Sequence, residues 1–374
     1  MSEQKAFEKI FPSRALLALL ICTSILAISV PQLVAQVHFP KVTLQNSGTT
    51  EGLIAVSPVN SKVVWAAGRH GTFLVTTDGG QTWRSGQVNG AKFLQFRDVQ
   101  GVSDKVAYLQ SIGSNPGNFR IYKTEDGGAT WKVLFKNDLA GAFYDCFAFW
   151  TPTRGISHSD SVNGVFPDIR TTDGETWQSI SSSMPPALAG EASFAASGTC
   201  VATQGDSNAW IATGGASTAR VLATTDGGDN WNAYDTPIVS SPSAGAFTVD
   251  FRDAMNGIVG GGDLDPSDPD NARTALSSNG GKSWALTNAP PATGAIFGLS
   301  YVRQIGGCGN RTRCQGFARY VVVTANSGGA AWTPDEGTTW YVLPGVSGGW
   351  AVAFASPSAG WVVGTNGHIW KINF

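Results

Sequence analysis

Few side chains in this sequence could do chemistry near neutral pH, and three carboxylates set the possibilities. Asp160, Glu191 and Asp263 each fall in a segment rich in Gly, Ser or Ala. Glycoside hydrolysis uses two carboxyl groups about 5 to 9 Å apart, so a fold that joined any two of them would raise that reaction. Arg69 and Arg220 supply guanidinium groups that could hold an anion or a carboxylate. His70, His158 and His368 fall on or beside similar loops, but their spacing matches no metal-ligand motif, and solvated loop histidines account for them. Arg69, His70, Asp160, Glu191, Arg220, Asp263 and His368 therefore form the candidate binding set. Residues 262–271 carry Asp263, Asp265, Asp268 and Asp270, oxygen donors of the kind Ca²⁺ takes. The alternating spacing breaks after Asp265, prolines follow at 266 and 269, and no bidentate Glu closes the run. A solvated acidic loop is the favoured reading and a Ca²⁺ site the alternative; no other cofactor is expected.

What must position these loops is a repeat. Residues 76–83, Thr-Thr-Asp-Gly-Gly-Gln-Thr-Trp, return at 124–131, in shortened form at 171–177, then at 224–231, 277–284 and 333–340. The paired positions are Asp78 and Trp83, Asp126 and Trp131, Asp173 and Trp177, Asp226 and Trp231, Asn279 and Trp284, and Asp335 and Trp340. The pattern describes a β-hairpin turn in which the Asp side chain accepts bonds from amides one or two residues on. Gly takes the positive φ, and Trp opens the return strand over a large apolar area. These residues are structural.

Upstream of each turn lie three apolar segments with strand character, and the Trp opens a fourth. The Trp positions 83, 131, 177, 231, 284 and 340 give steps of 46 to 56 residues, the length of a four-stranded propeller blade. Residues 360–370 repeat the pattern of 65–73 and stop where a seventh turn would begin. The missing fourth strand is available in residues 41–45, which predicts an all-β, seven-bladed propeller whose last blade is closed by an N-terminal strand, with six or eight blades as alternatives. Closure of this kind removes exposed sheet edges. In that topology the six turns lie on one face, and the loops joining second to third strands lie on the other with the connections between blades. Binding is expected on this second face, where loops converge on the channel.

The composition agrees: 46 Gly, 13 Trp and only 14% charged residues suit many short strands and tight turns. A net charge of -2 with dispersed Lys and Arg gives no footprint for nucleic acid. Lys5, Lys9 and Arg14 precede an apolar run over 15–30 and then a segment ending at Ala35, the order of a secretory signal. Residues 1–35 are thus expected to be a signal peptide and 36–374 one propeller domain, exported to the periplasm or outside the cell. An uncleaved anchor, the only expected membrane contact, is the alternative. In an oxidising compartment Cys308 and Cys314 could close a local loop, whereas Cys146 and Cys200, at similar heights in consecutive repeats, could face each other, with buried free thiols slightly favoured over a bridge.

The turn series and the Trp- and Gly-rich second strands make nearly all of the chain after residue 35 resemble the photosystem II stability/assembly-factor-like family of Asp-box (BNR) propellers, its secreted bacterial members above all. The turns alone also resemble those of sialidases. A sialidase would need an Arg cluster, a Tyr activated by Glu and an acid/base Asp. The early Arg-Ile-Pro motif of that family is absent, and Tyr144 with Glu191 is the only imaginable pair. No dinucleotide-binding, Walker or nucleophile-elbow motif occurs. The expected function is a non-catalytic binding or assembly scaffold, monomeric, for a protein or glycan ligand on the channel face. The alternatives are a glycoside hydrolase using Asp160, Glu191 or Asp263, and a metal-stabilised structural protein.

Overall fold

The computed structural model describes residues 39–265, 273–291, 293–302 and 320–374. Asp268, Asp270, Cys308, Cys314 and the expected signal lie outside these residues. The described residues form seven four-stranded antiparallel sheets. Blade one runs outward through Leu53–Pro58, Val64–Gly68, Thr72–Thr76 and Arg84–Gln87. The innermost strands of the following blades are Gln95–Gly101, Tyr144–Thr151, Val201–Gln204, Ala244–Phe251, Gly298–Tyr301 and Gly349–Ser356. Each touches the innermost strand of the next, and the last touches the first, so the ring is closed. Blade seven is completed by Lys41–Gln45, with Val42 opposite Ile372 and Leu44 opposite Trp370. The N-terminal strand thus covers an edge that would otherwise be open to other chains.

Apolar burial explains why the sheets stack. In blade one the second and third strands are wholly buried and the outer strand is largely exposed. The core is divided among the blade interfaces: Trp65 and Phe73 of blade one share a cluster with Phe96, Leu109 and Tyr122 of blade two. Trp131, which ends the second turn, reaches back to this cluster, its ring 5.1 Å from Phe73 and 6.1 Å from Trp65, edge to face. Such pairs add about 0.5–1.5 kcal/mol beyond the area they bury.

The turns are built from local hydrogen bonds: in the third, Asp173 receives the Glu175 amide two residues on at 2.8 Å, as expected, whereas in others the span is longer. Asp78 accepts from the Thr82 amide at 2.9 Å and the Thr82 hydroxyl at 2.6 Å, four residues on. The nearer amide of Gly80 goes instead to Thr76 Oγ1 at 3.0 Å, while that hydroxyl donates to Asp78. Gly79 and Gly80, both at positive φ, curl the chain so that Thr82 returns over the carboxylate. Asp126 with Thr130 and Asp226 with Asn230 repeat the arrangement, and Asn279 receives the Ser283 amide in the same way.

At the centre, side chains bridge one innermost strand to the next. Asp98 accepts from the Phe147 amide at 2.8 Å, Thr248 from Leu299 at 3.1 Å, and Asp250 from Tyr301 at 2.9 Å. These bonds satisfy buried amides that no sheet ladder reaches. Between blades three and four the link is covalent: Cys146 and Cys200 form a disulfide, with Cα atoms 5.9 Å apart. The expectation of free thiols is corrected because adjacent innermost strands converge to within the reach of a disulfide.

Candidate functional site

The candidate binding residues lie on the expected face, but their side chains are largely engaged with neighbours. Arg220 forks onto Glu191, with Nε 2.8 Å from Oε1 and Nη2 on Oε2. Glu191 also accepts from Thr213 Oγ1 at 2.7 Å and from the Leu188 amide at 2.8 Å. The two candidates meet as a buried, hydrogen-bonded ion pair, which answers the cost of desolvating both charges. Asp263 accepts from Ser243 Oγ at 2.7 Å and from the Asp265 amide at 2.9 Å, so the described part of the acidic run is folded on itself. Among the described residues no three His, Cys, Asp or Glu side chains form a group able to hold a metal. His70 lies 2.7 Å from Glu51 and is exposed, whereas His368 packs on Trp370, ring centroids 5.1 Å apart. Tyr144 donates to Pro167 O at 2.7 Å, not to Glu191.

The run leading into blade four does something that the sequence pattern does not announce: it fills the channel. Residues 192–199 reach innermost strands on several sides. Ser193 N donates to Asp160 of blade three at 2.9 Å, and Arg97 Nη1 of blade two donates to Ala195 O at 2.6 Å. Ser197 Oγ donates to Phe297 O of blade six at 2.6 Å, and Thr199 Oγ1 lies 2.7 Å from Thr248 Oγ1 of blade five. The Phe194 ring sits 4.0 Å from that of Phe247. Gly214 and Gly245 make room for it: a Cβ on Gly214 would come within 2.4 Å of Gly245 Cα and 3.1 Å of the Phe194 ring. The plug is clamped at both ends, by the Glu191–Arg220 pair before it and by Cys200 after it.

Beside the plug, blade three holds a buried acidic cluster. Asp145 faces Asp160 in hydrogen-bond contact. Burial, and then the neighbouring Asp160, push the Asp145 carboxyl well above the usual carboxylate range. Burial raises Asp160 from 3.8 to about 6. Two buried carboxyl groups in contact hold a proton between them because both cannot ionise cheaply. Next to them His158 Nδ1 lies 2.8 Å from Asp168 Oδ2, both fully buried, and His158 Nε2 has no partner. Above the plug, Arg97 stacks on Trp350 at 5.1 Å, and burial followed by the like charge of Arg69 lowers its pKa to about 10.

On the turn face the channel remains open as a cavity of about 470 Å³ that ends against Gly198 and Thr199 of the plug. Ser57, Asp98, Trp150, Gln204, Asp250 and Phe354 contribute to its wall. A second hollow of about 480 Å³ lies between the first two turns, lined by Thr82, Arg84, Lys105 and Asp126. Sequence reasoning missed both the cavity and the plug. The one signal was the length of the Gly- and Ala-rich segment before blade four, longer than a blade connection requires.

The ring, the closing strand and the filled channel define a seven-bladed β-propeller. The solved structures similar to it include YCF48 bound to D1 peptide, with a TM-score of 0.58 and 16% identity over 90% of this chain and 98% of that one. YCF48 from Cyanidioschyzon merolae matches with the same score and identity over 89% and 98%. The WD40 propeller domain of Doa1 matches at 0.54 and 12% identity over 89% and 97%. At these identities the likeness concerns the fold. No family model matches the chain, and no curated protein sequence does.

Proposed function

We propose that this protein is an exported, non-catalytic scaffold that docks a protein partner on the loop face of the propeller, around the plugged mouth of the channel. The observation that carries the reading is the state of the polar groups there. Asp160, Glu191 and Asp263 are engaged by amides, hydroxyls or a guanidinium, which leaves a hydrolase short of a pair of working carboxylates. Arg69 is exposed and stands close enough to Arg97 to depress its pKa. Paired guanidinium groups beside the Trp350 ring suit an acidic or carboxylate-ended segment of a partner. The YCF48 structure with bound D1 peptide gives a propeller of this shape holding a polypeptide. The buried Cys146–Cys200 disulfide supports export to an oxidising compartment. Asp-box turns as the family's structural device fit the Thr76, Asp78 and Thr82 geometry.

The test is a pull-down from a periplasmic extract with the wild type and Arg69→Ala, at low and high salt, alongside a panel of chromogenic glycosides. The scaffold reading expects a captured protein that Arg69→Ala and salt both weaken, and no glycoside turnover. Hydrolysis that disappears in Asp160→Asn would replace it with the glycosidase reading.

A further inference from the structure

We infer that the loop face of blades three to five is a second docking surface, suited to a cationic amphipathic segment of a protein and separate from the Arg69 contact. The loop face is divided by charge. On blades one and two it carries Arg69, Lys92, Arg97, Arg120 and Lys136, against Glu51, which is paired with His70. The Arg120 guanidinium lies 5.4 Å from the centre of the exposed Phe93 ring. On blades three to five the sign reverses. Asp138, Asp235 and Asp265 are exposed there. Among the described residues the cations on this half are Arg273 and Arg220, and Arg220 is already paired with Glu191.

Large apolar side chains stand among those carboxylates. Leu139 is 45% exposed, Val165 48%, Val239 47% and Leu264 49%. Each lies on a connection between blades or on a second-to-third-strand loop, so all four stand on the loop face. Contacts between the loops join them into one band. The loop carrying Leu139 packs on the hairpin carrying Val165, since a Cβ on Gly141 would stand 3.8 Å from Val162 Cγ1. Gly164 O in that hairpin receives the Ala187 amide at 3.1 Å, and Arg220 Nη2 of blade four donates to Pro186 O at 3.1 Å. Ser240 Oγ, beside Val239, donates to Ala216 O at 2.8 Å, and the Leu264 amide donates to Ser243 O at 3.0 Å. Single exposed apolar residues need no explanation, whereas a band of them on one face marks a contact. The carboxylates select the occupant. An acidic segment or an anionic lipid surface would meet like charge. A segment with Lys or Arg on one side and apolar residues on the other matches both features, its cations meeting Asp138 beside Leu139 and Asp235 near Val239. The hydrogen-bonded loops are set before binding, which limits the ordering cost.

Calorimetric titration of the full chain with synthetic peptides tests the surface. The probe has Leu at i, i+3, i+4 and i+7 and Lys elsewhere. It should bind saturably at low salt and more weakly at high salt. A peptide with Glu in place of Lys, and one with Ser in place of Leu, should each bind about tenfold more weakly. Val165→Ser with Val239→Ser should lower affinity for the probe about tenfold, and Asp138→Asn with Asp235→Asn about threefold, chiefly at low salt. Arg69→Ala should leave it unchanged, so failure of this surface and failure of the Arg69 contact are told apart. Should the valine pair lower the thermal midpoint, Leu264→Ser reads the same band. Absence of binding overturns the proposal. Equal binding of the Ser peptide would reduce the surface to unselective charge, and equal binding of the Glu peptide or weakening by Arg69→Ala would move the site; each overturns it as well. Attachment to phosphatidylcholine vesicles that Leu264→Ser abolishes would overturn it in favour of a lipid surface.

Discussion

The aspartates of the turn face and those of blade three are the same residue under opposite physics. Asp126 is exposed and Asp78 half-buried at the surface, and hydrogen bonds from the side chain and then the amide of Thr82 or Thr130 hold their pKa values down at about 2. Asp145 and Asp160 are desolvated and in contact with each other, and their pKa values rise. The turn aspartates add stability that is complete above about pH 4 and lost as pH falls toward 2, whereas Asp160 adds stability at low pH that is lost as pH rises through 6. Each turn is closed by bonds within five residues, with single side chains such as Arg170 on Gly227 and Lys371 on Gly79 reaching it from the neighbouring blade, whereas the centre is held mainly by bonds between different blades. Energy should therefore be concentrated at the centre even though the sequence advertises the rim.

Arg220→Ala should test this concentration most severely. It strands Glu191, only 1% exposed, as an unpaired buried charge, and breaking such a pair costs about 3–5 kcal/mol. Equilibrium urea unfolding at pH 7 should show the loss, and Glu191→Gln in the same chain should restore part of it. A loss below about 1 kcal/mol would mean that the pair behaves as an exposed one and that the plug is not clamped there. Reducing Cys146–Cys200, or replacing both by Ala, is expected to cost about 2–4 kcal/mol for a bridge spanning 54 residues. Unfolding midpoints with and without reductant would reveal it. Gly214→Ala comes third, at about 1–3 kcal/mol for overpacking, because the new Cβ meets Gly245 and the Phe194 ring. If Gly214→Ala proved neutral, the close approach of blades four and five would not be needed to seat the plug.

The same contrast explains what could be read beforehand. The turns, the blade length, the ring and the closing strand were legible because each leaves a pattern in the sequence: Thr76, Asp78 and Thr82 within one turn, and 360–370 as a repeat of 65–73. The even set of cysteines was visible too, but the pairing of Cys146 with Cys200 depends on how closely innermost strands converge. Glu191 and Arg220 both stood in the candidate binding set, yet their types cannot tell groups facing a ligand from a pair closed on itself. Asp98 and Asp145 escaped notice because a single Asp within an apolar strand carries no pattern. Its role follows from the neighbouring blade, as when Asp98 receives the Phe147 amide. The plug is the extreme case, since its contacts to four other blades exist only once the ring has formed.

The smallest effect belongs to the turns, and the protein already contains the control for it. Blade five carries Asn279 where the others carry Asp. Its Oδ1 accepts the Ser283 amide at 3.0 Å and its Nδ2 donates to Ser283 Oγ at 2.8 Å, so an amide reproduces the connectivity that Asp78 has with Thr82. Asp78→Asn should therefore leave the unfolding midpoint at pH 7 nearly unchanged, whereas Asp78→Ala, which removes the acceptor of the Thr82 amide, should lower it measurably. The ionised state matters only in acid: Asp78→Asn should be less sensitive than the wild type between pH 4 and pH 2, the window in which Asp78 takes up its proton. Asn279→Asp should do the reverse and make the blade-five turn acid-sensitive. Should Asp78→Asn instead unfold the domain at pH 7, the charge would be holding more than its own hairpin, and the division between a locally built rim and a non-locally built centre would fail at the rim.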